Sequence, residues 1–426
     1  AKIAAGVVVA SDIADDSITL AKMASGTDGN IISYDASGNP VAISTGSDGQ
    51  VLTSTGAGSP PAFEAVVVPT LRPNANPLII NGDFSIAQRT TSTSSVSSGS
   101  NFVSDRFTFN PATAGTWTIS QEAITSGSPF DNGFRTGFKA DNTTANGSLS
   151  AGSSLQFAQK IEAQDLQLLK YGSSNAEKLT LAFWIKATKT GTNVIEIYGH
   201  DSGRSVSIAY TVSQSNTWEY KVVNLPADTG GTINNDNGTG LEFIWWLVAG
   251  SNFTSGSLQT SWGANSATAR AVGQVNHADS TSNNVHITAV QLEVGEYTSA
   301  TIPPFQHESF GDSLYRCMRY YETQTGFQFF TFQSGTNVTN SAYVNCSVKK
   351  RANPTGSFSG SIINFFPHTG GGQGETNNAT GMGASTGLDG HFFVGFETEA
   401  NAPTTDGFHP IYADARNLII NWASEL

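Results

Sequence analysis

No grouping of nucleophile, base and orienting acid can be read from this sequence. A Gly-x-Ser-x-Gly elbow, a His-Glu-x-x-His pair, a Walker-type loop and a Cys-x-x-Cys pair are all absent, so acyl transfer, zinc proteolysis, nucleotide hydrolysis and dithiol redox chemistry have no recognisable spacing here. The run Gly370-Gly371-Gly372-Gln373-Gly374 lacks the Lys-Ser/Thr of a phosphate cradle and reads as a surface loop. Seven His are scattered along the chain, and no three fall at a metal-ligand spacing. Cys317 and Cys346 match no zinc pattern; they read as buried thiols, with a single bridge as the alternative. Glu375, Asp389, Glu397 and Asp406 are the acids from which a glycoside-cleaving pair would be drawn. Acids in β-rich surface loops are usually just solvated, and the chain reads as a non-enzyme.

Ring stacking is the chemistry the sequence does offer. A sugar presents an apolar C–H face that packs on Trp or Tyr, while its hydroxyls take Asn, Asp, Gln and backbone groups. Trp184, Trp245, Trp246 and Trp262 are the first candidates. The first three fall on strand patterns, where a core role is commoner, which leaves Trp262 as the exposed platform. Further on, His368, His391, Phe392, Phe393 and His409 sit near Gly-rich or Pro-rich loops, the usual place for ligand contacts; closing a local core is their other role.

The elements that must position these residues are strands. Of 426 residues only 13% are charged, and 44 are Gly, a composition poor in helix formers. The net charge of −13 opposes phosphate backbones and anionic lipid, which excludes nucleic acid as a partner. The longest apolar stretch, Phe243 to Gly250, is too short to cross a bilayer, so membrane insertion is excluded as well. From Gly26 to Ala65 the sequence repeats every 20 residues: Gly26-Thr27-Asp28-Gly29 aligns with Gly46-Ser47-Asp48-Gly49, Ile31-Ile32 with Val51-Leu52, and Ile43 with Phe63. Each copy has an Asp-Gly turn and two short strands, with too little apolar surface to fold alone. Stacking of identical chains around an axis answers that shortage. Residues 1–25 read as a connector to an anchoring partner, 26–65 as the repeat shaft, and 66–77, with Pro69, Pro73 and Pro77, as a linker.

Within a domain expected over 78–305, the stretch from Leu78 to Thr301 alternates with period 2. Leu179, Leu181, Phe183 and Ile185 share one face; Val206, Ile208, Tyr210 and Val212 another; Trp218, Tyr220 and Val222 a third; and Leu241 to Val248 is apolar on both faces. With only a short helix expected over Gln159 to Lys170, this spacing predicts a jelly-roll β-sandwich. Ser309 is placed to cap a further helix in which Leu314, Cys317, Met318 and Tyr321 form one stripe, packed either on its own domain or in a three-chain bundle. Residues 306–426 read as a smaller β-domain. The fold class is all-β: an elongated fibre with a repeat shaft, a jelly-roll sandwich and a C-terminal tip.

Several stretches carry a resemblance. Asn76-Pro77-Leu78-Ile79-Ile80-Asn81-Gly82-Asp83-Phe84 and Leu179-Thr180-Leu181-Ala182-Phe183-Trp184-Ile185-Lys186 are similar to the first and central strands of carbohydrate-binding-module jelly rolls. Ile287 to Glu296, Pro304 to Asp312, Arg316 to Tyr321 and Lys350 to Thr355 resemble, in that order, the segment of bacteriophage tail fibre proteins that leads into a C-terminal tip, and the repeat resembles fibre-shaft repeats. The resemblance implies a homotrimeric adhesin on the virion, joined to the phage tail or other virion proteins through its N-terminus and contacting host cell-surface polysaccharide. Asp83 and Glu293 match positions that bind a structural Ca²⁺ in some carbohydrate-binding modules, a salt-bridged pair of surface loops being the other reading; no other cofactor is expected. A capsid or collar fibre of mainly structural role and a polysaccharide depolymerase are the alternatives it leaves open.

Overall fold

The computed structural model describes residues 7–14, 27–65, 77–333, 339–359, 364–367, 384–386, 391–397 and 409–426. By contact density the chain divides into two units, Ala1–Leu71 and Arg72–Leu426. In the first unit, β1 (Ile31–Tyr34) pairs antiparallel with β2 (Pro40–Ile43), and β3 (Gln50–Thr53) with β4 (Ala62–Ala65). The 20-residue sequence repeat is thus a repeat of one hairpin. The first turn is held by the Asp35 carboxylate, which accepts from the N–H groups of Ser37 and Asn39, each at 2.9 Å. Neither hairpin hides its apolar side chains: Ile32, Tyr34, Val51 and Leu52 are 57, 64, 45 and 43% exposed. A lone two-stranded hairpin is marginal at best in water.

The second unit is built on two six-stranded antiparallel sheets. One orders β13 (Glu219–Leu225), β10 (Leu179–Ala187), β16 (Asn284–Val294), β8 (Thr136–Thr144), β7 (Thr116–Ala123) and β5 (Ser92–Val96); the other orders β15 (Gly263–Ala264), β12 (Arg204–Val212), β11 (Gly191–Gly199), β14 (Thr239–Ala249), β9 (Ser154–Glu162) and β6 (Phe107–Ala112). The predicted alternation lies where expected. Leu179, Leu181, Phe183 and Ile185 are fully buried between the sheets, and Phe183 meets Trp245 edge-on at 5.6 Å. Phe157 of β9 stacks on Phe138 of β8 at 4.3 Å and on Phe107 at 5.1 Å. Each such side chain contributes about 1.5–3 kcal/mol by burial, and an aromatic pair adds roughly 0.5–1.5 kcal/mol.

The helix expected over Gln159 to Lys170 is absent. Residues to Glu162 complete β9, and Ala163–Leu169 form a 3-10 turn ended by Lys170 at φ 54°. Gln159 and Glu162 suit a helix by propensity, but tertiary pairing overrides it. The side-chain amide of Gln159 donates to the carbonyl of Ile80 and accepts from its N–H, both at 2.9 Å, so a buried polar residue there imitates a strand partner.

Two buried polar groups, Glu196 on the outer face and His277, tie the segment Phe253–His277 to the second sheet. The Glu196 carboxylate, with no exposed side-chain surface, accepts from Arg270 Nε, Asn265 Nδ2 and Trp246 Nε1 at 2.8, 3.1 and 3.0 Å. His277, also fully buried, places Nε2 2.7 Å from Asn193 Oδ1.

After the sandwich, Ser309 Oγ accepts from the N–H of Asp312 and caps α1 (Phe310–Met318). Its stripe packs on its own chain: Leu314 and Cys317 join Ile80, Ile86 and Tyr320 in one cluster, so the stripe is not available to a three-chain bundle. Tyr321, expected in the stripe, starts the next strand. β17 (Tyr321–Gln333), β23 (His409–Ala423) and β19 (Thr355–Ser359) form a sheet to which β20 (Asn364–Pro367) adds through β23; β18 (Thr339–Asn345), β22 (His391–Glu397) and β21 (Ala384–Thr386) form another. Side chains cross the expected 305/306 boundary. Arg319 donates to both oxygens of buried Glu162 at 2.7 and 2.8 Å, and Arg106 stacks on Tyr320 at 3.4 Å. Burial raises the Glu162 carboxyl, but the hydrogen bonds and charge of Arg319, together with hydrogen bonds from Tyr320 and Gln164, outweigh it and leave the group below its ordinary range. Cys317 and Cys346 are both free thiols. Among the described residues no helix is long and apolar enough to cross a membrane.

Burial pushes His277 down from 6.5 to about 4, with the Lys189 charge adding to the effect. The native state therefore resists a proton that the unfolded state takes up below pH 6.5, and stability falls as pH drops through that window toward 4, by about 3 kcal/mol. Urea unfolding across that range is expected to show the loss in the native sequence, with a flatter profile in His277→Gln.

Candidate functional site

The outer face of the first sheet carries a cluster of partly buried rings. On β10 the odd positions point to the core, so Trp184 and Lys186 point out. The register sets Tyr220 and Thr288 beside Trp184, and His286 beside Lys186. Trp218 lies just before β13. Trp184 and Tyr220 have ring centres 5.1 Å apart, tilted by 39°, and Trp184, Trp218, Phe130 and Phe305 gather, half-buried, around buried Ile124, Phe134 and Ala289. Polar groups edge this floor: Lys186 Nζ lies 5.1 Å from the Trp218 ring centre, and Gln291 and Glu293 stand further along β16. Burial, together with the Glu293 charge, pushes the Tyr220 hydroxyl up to about 12, so it remains a hydrogen-bond donor at physiological pH. Apolar rings with a few placed polar groups suit the alternating faces of a sugar.

A small cleft adjoins this face. It is lined by Asp83, Glu293 and Glu308 together with Gln291 and Phe305, so the two residues expected to hold a cation do converge. The Asn81-Gly82-Asp83-Phe84 turn is strained, with Asn81 at φ 61° and Phe84 at φ 59°, and Asn81 is fixed by three side-chain hydrogen bonds, to Ile86 N, Ile86 O and Asp105 O. Gly82 admits no side chain, because a Cβ there would come 2.1 Å from the Val290 carbonyl oxygen. Asp83 Oδ1 accepts from Ser85 N and Oγ, and Glu308 pairs with Arg316 at 2.7 Å. Asp83 and Glu293 are hard oxygen donors and fit a cation such as Ca²⁺, which takes six to eight oxygens and would draw the rest from backbone or water. Among the described residues no three His, Cys, Asp or Glu side chains converge as a metal cluster.

The other predicted residues are not brought here. Trp262, as partly buried as Trp184 and Trp218, packs against the main core on the other side of the sandwich, its Nε1 donating to Pro226 O at 2.7 Å and its ring edge-on to Tyr171. Trp245 and Trp246 are fully buried. His391, Phe392 and Phe393 open β22, opposite Asn345, Val344 and Tyr343. His409 opens β23 in the other C-terminal sheet, opposite Gln333. His368 lies outside the described residues, as do Glu375, Asp389 and Asp406; Glu397 ends β22. Trp184, Trp218 and Tyr220 were the residues the sequence reading undervalued. Their signal was present: Trp184 is out of phase with its buried strand-mates, and Trp218, Tyr220 and Val222 share a face.

No protein-family model matches this sequence, and no curated protein matches it either. Solved structures give distant likenesses. The enzymatically active domain of tailspike protein 4 of bacteriophage CBA120 is 15% identical at a TM-score of 0.25, the match covering 44% of this chain and 19% of that one. TmCBM61, solved with β-1,4-galactotriose, is 9% identical at 0.25, covering 52% of this chain and 99% of that one. A sugar-binding protein of Bacteroides thetaiotaomicron is 13% identical at 0.28, covering 51% and 100%. This chain thus spans about a fifth of the tailspike domain's length. With TM-scores this low, none of the three carries an argument about ligand or activity.

Proposed function

We propose that this chain is a virion fibre protein, homotrimeric and joined to the phage tail or other virion proteins through its N-terminal segment, that binds host cell-surface glycan without cleaving it. The binding surface is the face of Trp184, Trp218 and Tyr220. The observation that carries the reading is the position of these three rings: partly exposed on the outside of a sandwich whose core already holds Trp117, Trp245 and Phe183. Weak single sites become useful when three are linked, through effective concentration, and the uncovered side chains of β1 to β4 are the surface that three copies would bury.

Three measurements test the proposal. Replacing Trp184 and Tyr220 together by Ala is expected to weaken binding to host polysaccharide at least about five-fold, the worth of two aromatic contacts; undiminished binding by a folded double variant removes this face as the site. Native mass spectrometry is expected to return three copies of the 44.7 kDa chain, and a lone protomer at micromolar concentration overturns the fibre. With Ca²⁺ held by Asp83 and Glu293, chelation lowers the melting temperature of the native chain but leaves Asp83→Asn unmoved; equal melting with and without chelator speaks against the cation.

A further inference from the structure

We propose that Glu122, His286 and Lys186 form a proton-operated gate on Trp218, leaving the ring face open near neutral pH and covered by Lys186 in acid. The inference deepens the glycan-binding reading by giving that face a regulation. His286 lies on β16, buried and beside Lys186 in the register. Its Nδ1 stands 2.5 Å from Glu122 Oε2 on β7, and its Nε2 stands 3.1 Å from Asn284 Oδ1. Both ring nitrogens thus face acceptors, an arrangement that only an imidazolium, with two N–H groups, satisfies. Neither His286 Nδ1 nor Glu122 Oε2 makes an aligned hydrogen bond, so the contact holds by charge more than by geometry.

Lys186 is the alternative partner for the same carboxylate. Its Nζ lies 4.0 Å from Glu122 Oε1 and 5.1 Å from the Trp218 ring centre. In this structure the two cations share Glu122, His286 close to Oε2 and Lys186 loosely at Oε1 while it also lies over the ring; with His286 charged, Lys186 keeps this loose position. Loss of the proton removes the positive charge holding Glu122, which then turns to Lys186 and draws the ammonium off the ring. Other charged groups at this face are already paired: Lys139 with Asp141 at 2.8 Å, and Arg135, which stacks on Phe130 and donates to its carbonyl. Burial lowers His286 from its ordinary 6.5, while Glu122 draws it back up. The transition therefore falls on the acid side of neutrality, where the Glu122 carboxyl, raised by burial but brought below its usual range by the combined pull of His286, Lys186 and Lys139, is still ionised.

The gate can be observed without any glycan. The part of the tryptophan emission lost in Trp218→Phe is expected to change in a single-proton step as pH falls from neutral to about 4.5. That step should vanish in His286→Gln and in Lys186→Met, the second variant serving if the first does not fold. A Trp218-dependent emission that ignores pH, or a step that persists in both variants, overturns the gate. Binding to host polysaccharide should weaken about two- to five-fold across the same step, as expected for one exposed cation–π contact. An emission step without any glycan binding leaves the gate standing and removes the glycan reading instead.

Discussion

Two stacked sheets have four faces, and a single core covers only the inner two. Everything else in the larger unit follows from how the outer two are treated. Along a strand, successive side chains leave on opposite sides, so Phe183 and Trp184 have opposite fates by position alone. The second sheet's outer face is closed by the segment carrying Asn265 and Arg270, clamped on Glu196. The first sheet's outer face is closed only in part, by the helical turn Ser128–Asp131 and the segment around Phe305, and its rings remain half-exposed.

Removing a buried charge's partner costs several kcal/mol even where the intact pair gains little over an apolar substitute. Glu196 and Glu162 are both of this kind, and both secure elements that hydrophobic area alone would hold loosely. The clamp on Glu162 is notable because Arg319 reaches it from beyond the sandwich. The polar joint and the small apolar cluster of Ile80, Ile86, Cys317 and Tyr320 together make the start of the C-terminal part continuous with the sandwich.

Much of this was legible from residue order, because period-2 alternation survives translation into three dimensions. The core phase of β10, the doubly covered β14 and the Ser309 cap could all be read directly. β9 could not, since its Gln159 acts as a strand partner for Ile80, a contact between residues far apart in sequence. The site was half-legible. Trp184 is visible but falls on a strand pattern, which favours a core role unless its phase is read, and Trp262 stands outside the strand patterns, with Tyr171 and Pro226 reaching it from distant segments. The convergence of Glu122 and His286 has no local signal, as it arises from sheet order.

One irregularity has wide reach. Ala289 sits at φ 55°, at the break in register where Ala182 faces Gln291 but Trp184 faces Thr288. The extra residue switches parity, so that even positions such as His286 and Thr288 look outward before it, and odd ones such as Gln291 and Glu293 after it. Shortening the strand by this one residue would turn Val290, Leu292 and Val294 toward water and drive a glutamine and a glutamate into the oil. Length, more than chemical character, is what natural variation at this point would have to preserve.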